Sequence, residues 1–337
     1  MEDLMKAICL SNEKSVEIQE IPRPQRAQPG HLLIKMLACG INAGDIAFIG
    51  GAFPKGSIPV SLYDIRGVSG VGTVMEVGEG VSPKYNGRNV AIYRSLKFDD
   101  DIIGTWCETA HMHYQQCVIL PDSVNMEDYA GSLVNIITPF AFFKQITEEG
   151  HKGIICTAGN SATGIAMLGI CLAKDFPVIS IVRTEEGKKE LEALGAKNIV
   201  VQIDSDFNEQ LKQMSDKFVA TAVFDGVGGI ILNRIKDVLP LNTTIYCYGF
   251  LGGDTGLSFH TSLLMKGITI KGFGNFRSKT VQNSALLEEA LNDISALIDM
   301  PHFKTKAGKH FSFEEINEAL VYTSTDGKKA ILYPYSK

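Results

Sequence analysis

The stretch Gly153-Ile154-Ile155-Cys156-Thr157-Ala158-Gly159-Asn160-Ser161-Ala162-Thr163-Gly164 runs a short apolar segment into a turn of small residues, and an amphipathic segment follows to Lys174. A short apolar run bounded by turn residues reads as a buried strand, and a longer stretch with apolar residues three and four apart reads as a helix. Strand Gly153–Ala158, helix Thr163–Lys174 and strand Pro177–Val182 are therefore predicted. The alternation continues through helix Glu185–Leu194, strand Asn198–Val201, helix Phe207–Met214, strand Thr221–Asp225, helix Ile230–Leu239 and strand Thr243–Gly249. Parallel neighbours need long crossovers, which are usually helices, so this order implies a parallel sheet in an α/β fold.

The turn Gly159, Asn160, Ser161, Ala162, Thr163, Gly164 lies where a dinucleotide pyrophosphate would meet a helix N-terminus. Small residues let the backbone approach phosphate oxygens, and the helix end supplies N–H groups with partial positive charge. Ser161 replaces the middle glycine of the usual fingerprint, so the surrounding strand, helix and strand carry the reading more than the motif does. A tight turn without a ligand is the alternative. The second strand ends Ile181-Val182-Arg183-Thr184. A carboxylate there would repel a ribose 2′-phosphate, whereas Arg183, Thr184 and Lys188 offer it a guanidinium, a hydroxyl and a cation, which favours NADPH over NADH. Glu185 and Glu186 fit either an acidic first helical turn or a ribose contact.

Before Gly153 the texture changes to short β-rich segments, Leu32–Leu37, Gly67–Val77, Arg88–Tyr93 and Thr109–Leu120, separated by glycine and proline, as in an antiparallel domain. After Gly272, helices near Gln282–Asp299 and Phe313–Thr323 and a strand Lys329–Tyr333 are predicted, the tail returning to the first domain. A length of 337 residues suits two domains. A formal charge of −6 opposes a phosphate-backbone footprint, so nucleic acid is not expected as a partner. No apolar run reaches the roughly 18–20 residues that span a bilayer, and Met1–Lys6 lacks a signal-peptide layout. A cytoplasmic protein without a membrane partner is expected. The seven cysteines, at 9, 39, 107, 117, 156, 171 and 247, form no C-x-x-C pair and read as buried thiols.

Taken together, the chain resembles the medium-chain dehydrogenase/reductase superfamily, and within it the quinone oxidoreductases and trans-2-enoyl thioester reductases. The likeness rests on Gly40-Ile41-Asn42-Ala43-Gly44-Asp45, Gly67-Val68-Ser69-Gly70-Val71-Gly72-Thr73-Val74, Gly104-Thr105-Trp106-Cys107-Glu108 and Ala222-Val223-Phe224-Asp225-Gly226-Val227-Gly228-Gly229. Tyr248-Gly249, Lys271-Gly272-Phe273 and Gly327-Lys328 add to it. The resemblance implies a Rossmann domain with a doubly wound parallel sheet at residues 129–272. A GroES-like β-rich catalytic domain would be formed by residues 1–128 and 273–337.

Zinc-dependent alcohol dehydrogenases of that superfamily carry cysteine where this chain has Asn42, and Gly-His-Glu where it has Gly67-Val68-Ser69. Residues 94–120 hold only Cys107 and Cys117, too few for a four-cysteine zinc lobe. His111 and His113, two apart on a strand, share a face without a third ligand. No metal is therefore expected, and the chemistry leans toward reducing an already electrophilic quinone or alkene.

By resemblance, Asn42 and Asp45 line the nicotinamide end, with turn stabilisation as the alternative, and Thr138 approaches the same ring or caps a helix. Gly226 and Gly228 lie under the adenosine-ribose side, or only make a turn, with Val227 between them counted among the cofactor-binding residues. Tyr248, Gly249 and Phe250 end a parallel strand at the ligand side, while Phe273 and Lys328 approach the same cleft, Phe273 being open between core and contact. The related enoyl thioester reductases have a proton-donating tyrosine where this chain has Phe53, which has no proton to give. Tyr63 could substitute or could simply pack. Reduction of a quinone or another activated alkene is the first expectation, an enoyl thioester substrate the alternative, and NADPH binding with little turnover a further one; other carbonyl or enone substrates also stay open. The resemblance also implies a homodimer formed through edge strands near Thr244–Tyr248 and Ile268–Phe273.

Overall fold

A computed structural model describes residues 3–12, 15–51, 62–94, 104–324 and 327–335; Phe53 lies outside them. The chain divides into two compact units, Met1–Asn135 with Ser284–Lys337, and Ile136–Asn283. The expected boundaries after residues 128 and 272 fall somewhat earlier in the chain.

The first unit begins with strands β1 (Leu4–Asn12), β2 (Ser15–Pro22) and β3 (His31–Gly40), helix α1 (Ala43–Ile49), and strands β4 (Ser69–Val77), β5 (Asn89–Tyr93), β6 (Thr109–His113) and β7 (Cys117–Ile119). The chain then enters the second unit through α2 (Leu133–Glu148), in which the division between units falls.

The second unit alternates β8 (Ile154–Cys156), α3 (Ala162–Ala173), β9 (Val178–Val182), α4 (Glu185–Ala193), β10 (Ile199–Val201), α5 (Phe207–Phe218) and β11 (Ala222–Asp225). It continues with α6 (Gly229–Ile235), β12 (Thr244–Cys247), α7 (Ser262–Met265), β13 (Thr269–Gly272) and α8 (Lys279–Gln282). The return segment holds α9 (Ser284–Leu297), β14 (Ala307–Ser312), α10 (Ile316–Val321) and β15 (Lys329–Tyr333).

In the second unit the sheet order is β10-β9-β8-β11-β12-β13, with every neighbouring pair parallel. Counted from β8, this is the 3-2-1-4-5-6 order of a Rossmann sheet, whose switch point lies between its first and fourth strands. β8, β9, β10 and β11 are buried along their whole length, as expected of parallel strands covered on both faces. Ile155, Ile179, Val200, Leu211, Val223 and Ile231 belong to the core of this unit.

In the first unit the main sheet runs β14-β15-β3-β4-β5-β7, with β6 also paired to β3, and β1 and β2 form a separate antiparallel pair. The tail rejoins this unit through β15, where Ile331 pairs with Gly40 and Leu332 with Cys39. Met36, Val74, Ile92, Trp106 and Met112 are among its buried core residues.

Several predicted elements change. The single strand expected over Thr109–Leu120 is broken by a turn at Tyr114–Gln116, where the His113 ring accepts the Gln115 N–H at 3.2 Å. The helix expected from Gln282 starts at Ser284, because Ser278 caps the short α8 before it. The helix expected over Phe313–Thr323 opens as a tight turn at Phe313–Glu315 and becomes α-helical only over Ile316–Val321. The edge expected near Thr244–Tyr248 is an interior strand, since β12 is flanked by β11 and β13; among the described strands only β13 forms that edge. No described helix is long and apolar enough to cross a membrane.

Candidate functional site

In the second unit, β8 ends in the predicted turn, and backbone sterics explain its small residues. A Cβ on Gly164 would sit 2.5 Å from the carbonyl oxygens of Ala158 and Gly159, and one on Gly159 would sit 2.9 Å from Ser180 Cβ. Close packing within the turn at Gly164 and against β9 at Gly159 therefore requires glycine at both positions. Ser161 is the N-cap of α3, its hydroxyl accepting the Gly164 N–H at 3.1 Å. Asn160 turns its amide to Glu190 at 3.2 Å. Ala162 and Thr163 complete the first turn of α3, half-buried. The turn thus presents a helix N-terminus, a place suited to anions.

At the end of β9, Arg183 is exposed and makes no ion pair among the described residues. Thr184 caps α4 by accepting the Gly187 N–H at 3.4 Å, while Lys188 lies 3.8 Å from Glu185. Glu185 and Glu186 form the acidic first turn of that helix. Of these two cations, Lys188 is therefore paired with Glu185, while Arg183 points to no acidic partner among the described residues.

After β11, Gly226, Val227 and Gly228 form a turn whose N–H groups point back at the Asp225 and Thr157 side chains. A Cβ on Gly226 would lie 2.5 Å from the Tyr248 hydroxyl, so the phenol closes directly over that glycine. Tyr248 stacks on Phe224 with centroids 4.0 Å apart, Gly249 lies against Gly226, and Phe250 is 58% exposed. Phe273 is core: it is 9% exposed and meets the Phe142 ring edge-on at 5.6 Å. Thr138 lies inside α2 and accepts from the Asn275 amide at 2.7 Å.

The first unit holds a separate polar cluster. Asn42, 6% exposed, donates to Ser69 Oγ at 2.7 Å, and its carbonyl oxygen accepts from the Lys329 ammonium and from the Asn135 amide at 3.3 Å. Asp45 forms a capping box on α1: its Oδ2 accepts the Asn42 N–H at 2.8 Å, and its Oδ1 accepts the Val68 N–H at 2.9 Å. Both carboxylate oxygens are therefore engaged by backbone, which makes Asp45 a positioning residue for Asn42.

Burial pushes Asp45 up to about 6, against the lowering effect of the Asn42 and Val68 N–H groups, Arg94 and Lys329. Burial pushes Arg94 down to about 10 and Lys329 down to about 8, each opposed by Asp45. Gly67 enters β4 at φ +91°, and a Cβ there would lie 2.3 Å from the Trp106 ring, so only glycine fits.

The lysine that reaches Asn42 is Lys329; Lys328, the sequence candidate, is exposed on the preceding position. Tyr63 is not in this cluster. It takes a left-handed φ of 57° and lines a different hollow of about 280 Å3 with Arg23, Arg26 and His111. Thr157, Asp225, Arg94 and Lys329 were not singled out by the sequence. Only Asp225 carried a signal, its place in the Ala222–Gly229 motif.

By that resemblance Asn42 stands at the cysteine position and Val68 at the histidine position of the zinc dehydrogenases; the Asn42 amide donates instead to Ser69, the residue after Val68. Among the described residues no three His, Cys, Asp or Glu side chains gather as they would around a metal ion. His111 stacks on His31 at 4.7 Å and accepts the Gln28 N–H at 3.1 Å.

A Rossmann sheet with a capped crossover turn, joined to a β-rich unit bearing the Asn42 cluster, defines a two-domain nucleotide-binding architecture. Residues 28–132 match the family described as alcohol dehydrogenase GroES-like domain, and residues 162–290 match that described as zinc-binding dehydrogenase. The human synaptic vesicle membrane protein VAT-1 homolog is 27% identical over 72% of this chain, which spans 59% of that relative's length. The mitochondrial enoyl-[acyl-carrier-protein] reductase of Dictyostelium discoideum is 25% identical over 89% of this chain and 85% of its own.

Among solved structures, a quinone oxidoreductase of Pseudomonas syringae pv. Tomato DC3000 is 19% identical with a TM-score of 0.76, covering 98% of this chain and 100% of its own. The ETR1P/NADP/crotonyl-CoA complex is 20% identical with a TM-score of 0.76 and the same coverage of both chains. The chain belongs to the medium-chain dehydrogenase/reductase superfamily, in its branch of quinone oxidoreductases and enoyl reductases.

Proposed function

We propose that this protein is an NADPH-dependent reductase that passes a hydride to a quinone or another activated alkene without metal assistance. The observation that carries the reading is the Asn42 cluster: an amide, a hydroxyl and an ammonium bonded together, with Asn42 where a metal dehydrogenase needs its thiolate and the apolar Val68 where it needs its imidazole. These groups cannot acidify an alcohol as a Lewis acid does, but they can donate hydrogen bonds to an oxygen that gains charge as its substrate is reduced. The likeness to the quinone oxidoreductase supports the same reading.

The residues present suit NADPH. The α3 N-terminus and the Gly159–Gly164 turn fit a pyrophosphate, and exposed Arg183 fits a 2′-phosphate. When bound, the cofactor supplies the hydride. Lys329, held near 8 by burial, remains mostly an ammonium at neutral pH and can stabilise negative charge beside Asn42.

An enoyl thioester is the second reading, favoured by the 25% identity to the Dictyostelium enoyl reductase across most of both chains. We place the protein in the cytoplasm, since six of its seven free cysteines are buried as reduced thiols. We also infer a homodimer through β13, an edge strand with all four residues exposed; sedimentation showing only a 36.7 kDa species would oppose it.

The deciding experiment follows reduced-nicotinamide absorbance with a quinone, an enone and a crotonyl thioester as acceptors. Oxidation with the quinone or enone supports the first reading, and oxidation with the thioester alone supports the second. NADPH binding without oxidation by any of the three marks a nucleotide-binding protein instead.

A further inference from the structure

The switch point of the parallel sheet is bridged by a buried side-chain bond that the turns on either side of it do not need for closure. β8 and β11 lie side by side, and just past or at their C-terminal ends stand Thr157 and Asp225, both fully buried. Thr157 Oγ1 donates to Asp225 Oδ1 at 2.7 Å and accepts the Gly226 N–H at 3.0 Å. Asp225 Oδ1 also accepts the Val227 N–H at 3.2 Å, and Oδ2 accepts the Gly228 N–H at 3.0 Å. The Cys247 thiol, at the end of β12, turns to the same carboxylate. One carboxylate therefore ties together the ends of three adjacent strands.

The bonds from Asp225 to residues 227 and 228 would close the turn after β11 by themselves, as aspartate side chains commonly do. The bond across to Thr157 is extra, and it joins two strands 68 residues apart in sequence. Burying a carboxylate is costly unless donors surround it, and no cation pairs with Asp225 among the described residues. Such an arrangement sits where open α/β sheets bind their ligands.

We propose that Thr157 and Asp225 form a positioning latch for the nucleotide. Resting on the NADPH reading above, the pair holds the Gly226–Gly228 turn at a fixed spacing from the Gly159–Ser161 turn, so that both are set before the nucleotide arrives. Neither residue touches the reacting atoms. The latch is indifferent to the 2′-phosphate, since Arg183, just past β9, supplies that discrimination.

The test is a calorimetric titration of NADPH and NADH into the wild-type chain and the variants Thr157→Val, Thr157→Ser and Asp225→Asn, with each melting midpoint recorded. Thr157→Val is expected to weaken both nucleotides about tenfold and leave their affinity ratio unchanged. KM for NADPH should rise while kcat at saturation stays within about twofold. Thr157→Ser should restore affinity, and Asp225→Asn, which keeps the size but loses an acceptor opposite Gly228, should resemble Thr157→Val. A folded Thr157→Val or Asp225→Asn chain with a lower melting midpoint but wild-type affinity overturns the latch alone. Failure of the wild-type chain to bind either nucleotide overturns the NADPH reading, and the latch with it.

Discussion

Asp45 in the β-rich unit and Asp225 in the parallel-sheet unit are both buried carboxylates that hold backbone N–H groups, yet their surroundings differ. Asp45 accepts two N–H groups and feels the charges of Arg94 and Lys329. Asp225 accepts a hydroxyl and two N–H groups, with a thiol turned toward it and no cation paired. Nearby cations make the first cluster sensitive to the charge state of its members. The second relies on short-range dipoles, which fix a loop geometry rather than a charge balance.

The largest expected effect comes from deleting the charged centre. Asp45→Ala leaves two buried N–H groups unsatisfied and removes the anion beside Arg94 and Lys329, so urea denaturation should show a loss of about 3–5 kcal/mol. A loss below about 1 kcal/mol would mean that water takes over the role of the carboxylate, and the contrast with Asp225 would fail.

The pH dependence sharpens the same contrast. Asp45 is raised from 3.8 to about 6 in the folded chain, so folding favours its protonated form. Its contribution to stability is fully present below pH 3.8 and is lost as pH rises through about 6. Relative to Asp45→Asn, the wild-type chain should lose about 3 kcal/mol across that window. Parallel curves for the two proteins would show that Asp45 titrates as an ordinary exposed carboxylate.

Smaller effects belong to the nucleotide side. Arg183→Ala should weaken NADPH binding by about 1.5–3 kcal/mol and leave NADH nearly unchanged, as titration calorimetry would record. Equal weakening of both nucleotides would remove Arg183 from the phosphate site. Ser161→Ala should cost about 1 kcal/mol of stability by removing the α3 cap, measured as a shift in the denaturation midpoint. An unchanged midpoint would show that the Gly164 N–H finds water instead.

Much of the second unit was legible because a parallel sheet writes its strands as short apolar runs separated by amphipathic helices. The Gly159–Gly164 turn and Arg183 follow from that alternation, each being defined by its place relative to one strand end. The cluster around Asn42 was only half legible. Asn42 and Asp45 stand three apart in one motif, but Lys329 joins them from the other end of the chain. Choosing it over Lys328 requires the pairing of β15 with β3, since adjacent strand residues face opposite sides. Phe273 was open between core and contact, and packing against Phe142 settled it as core. The break at Tyr114–Gln116 was hidden because a side-chain acceptor on His113, rather than glycine or proline, makes the turn.

The sequence by itself determined the alternation of the second unit, the two-part organisation and the crossover turn. These depend on local periodicity and on residue chemistry, both of which can be read along one strand. Tertiary structure alone decided which lysine meets Asn42, that both oxygens of Asp45 are taken by backbone, and that Thr157 closes on Asp225 across the switch point. Those contacts join residues far apart in the chain, and their partners are set by strand register and sheet order, which no local pattern encodes.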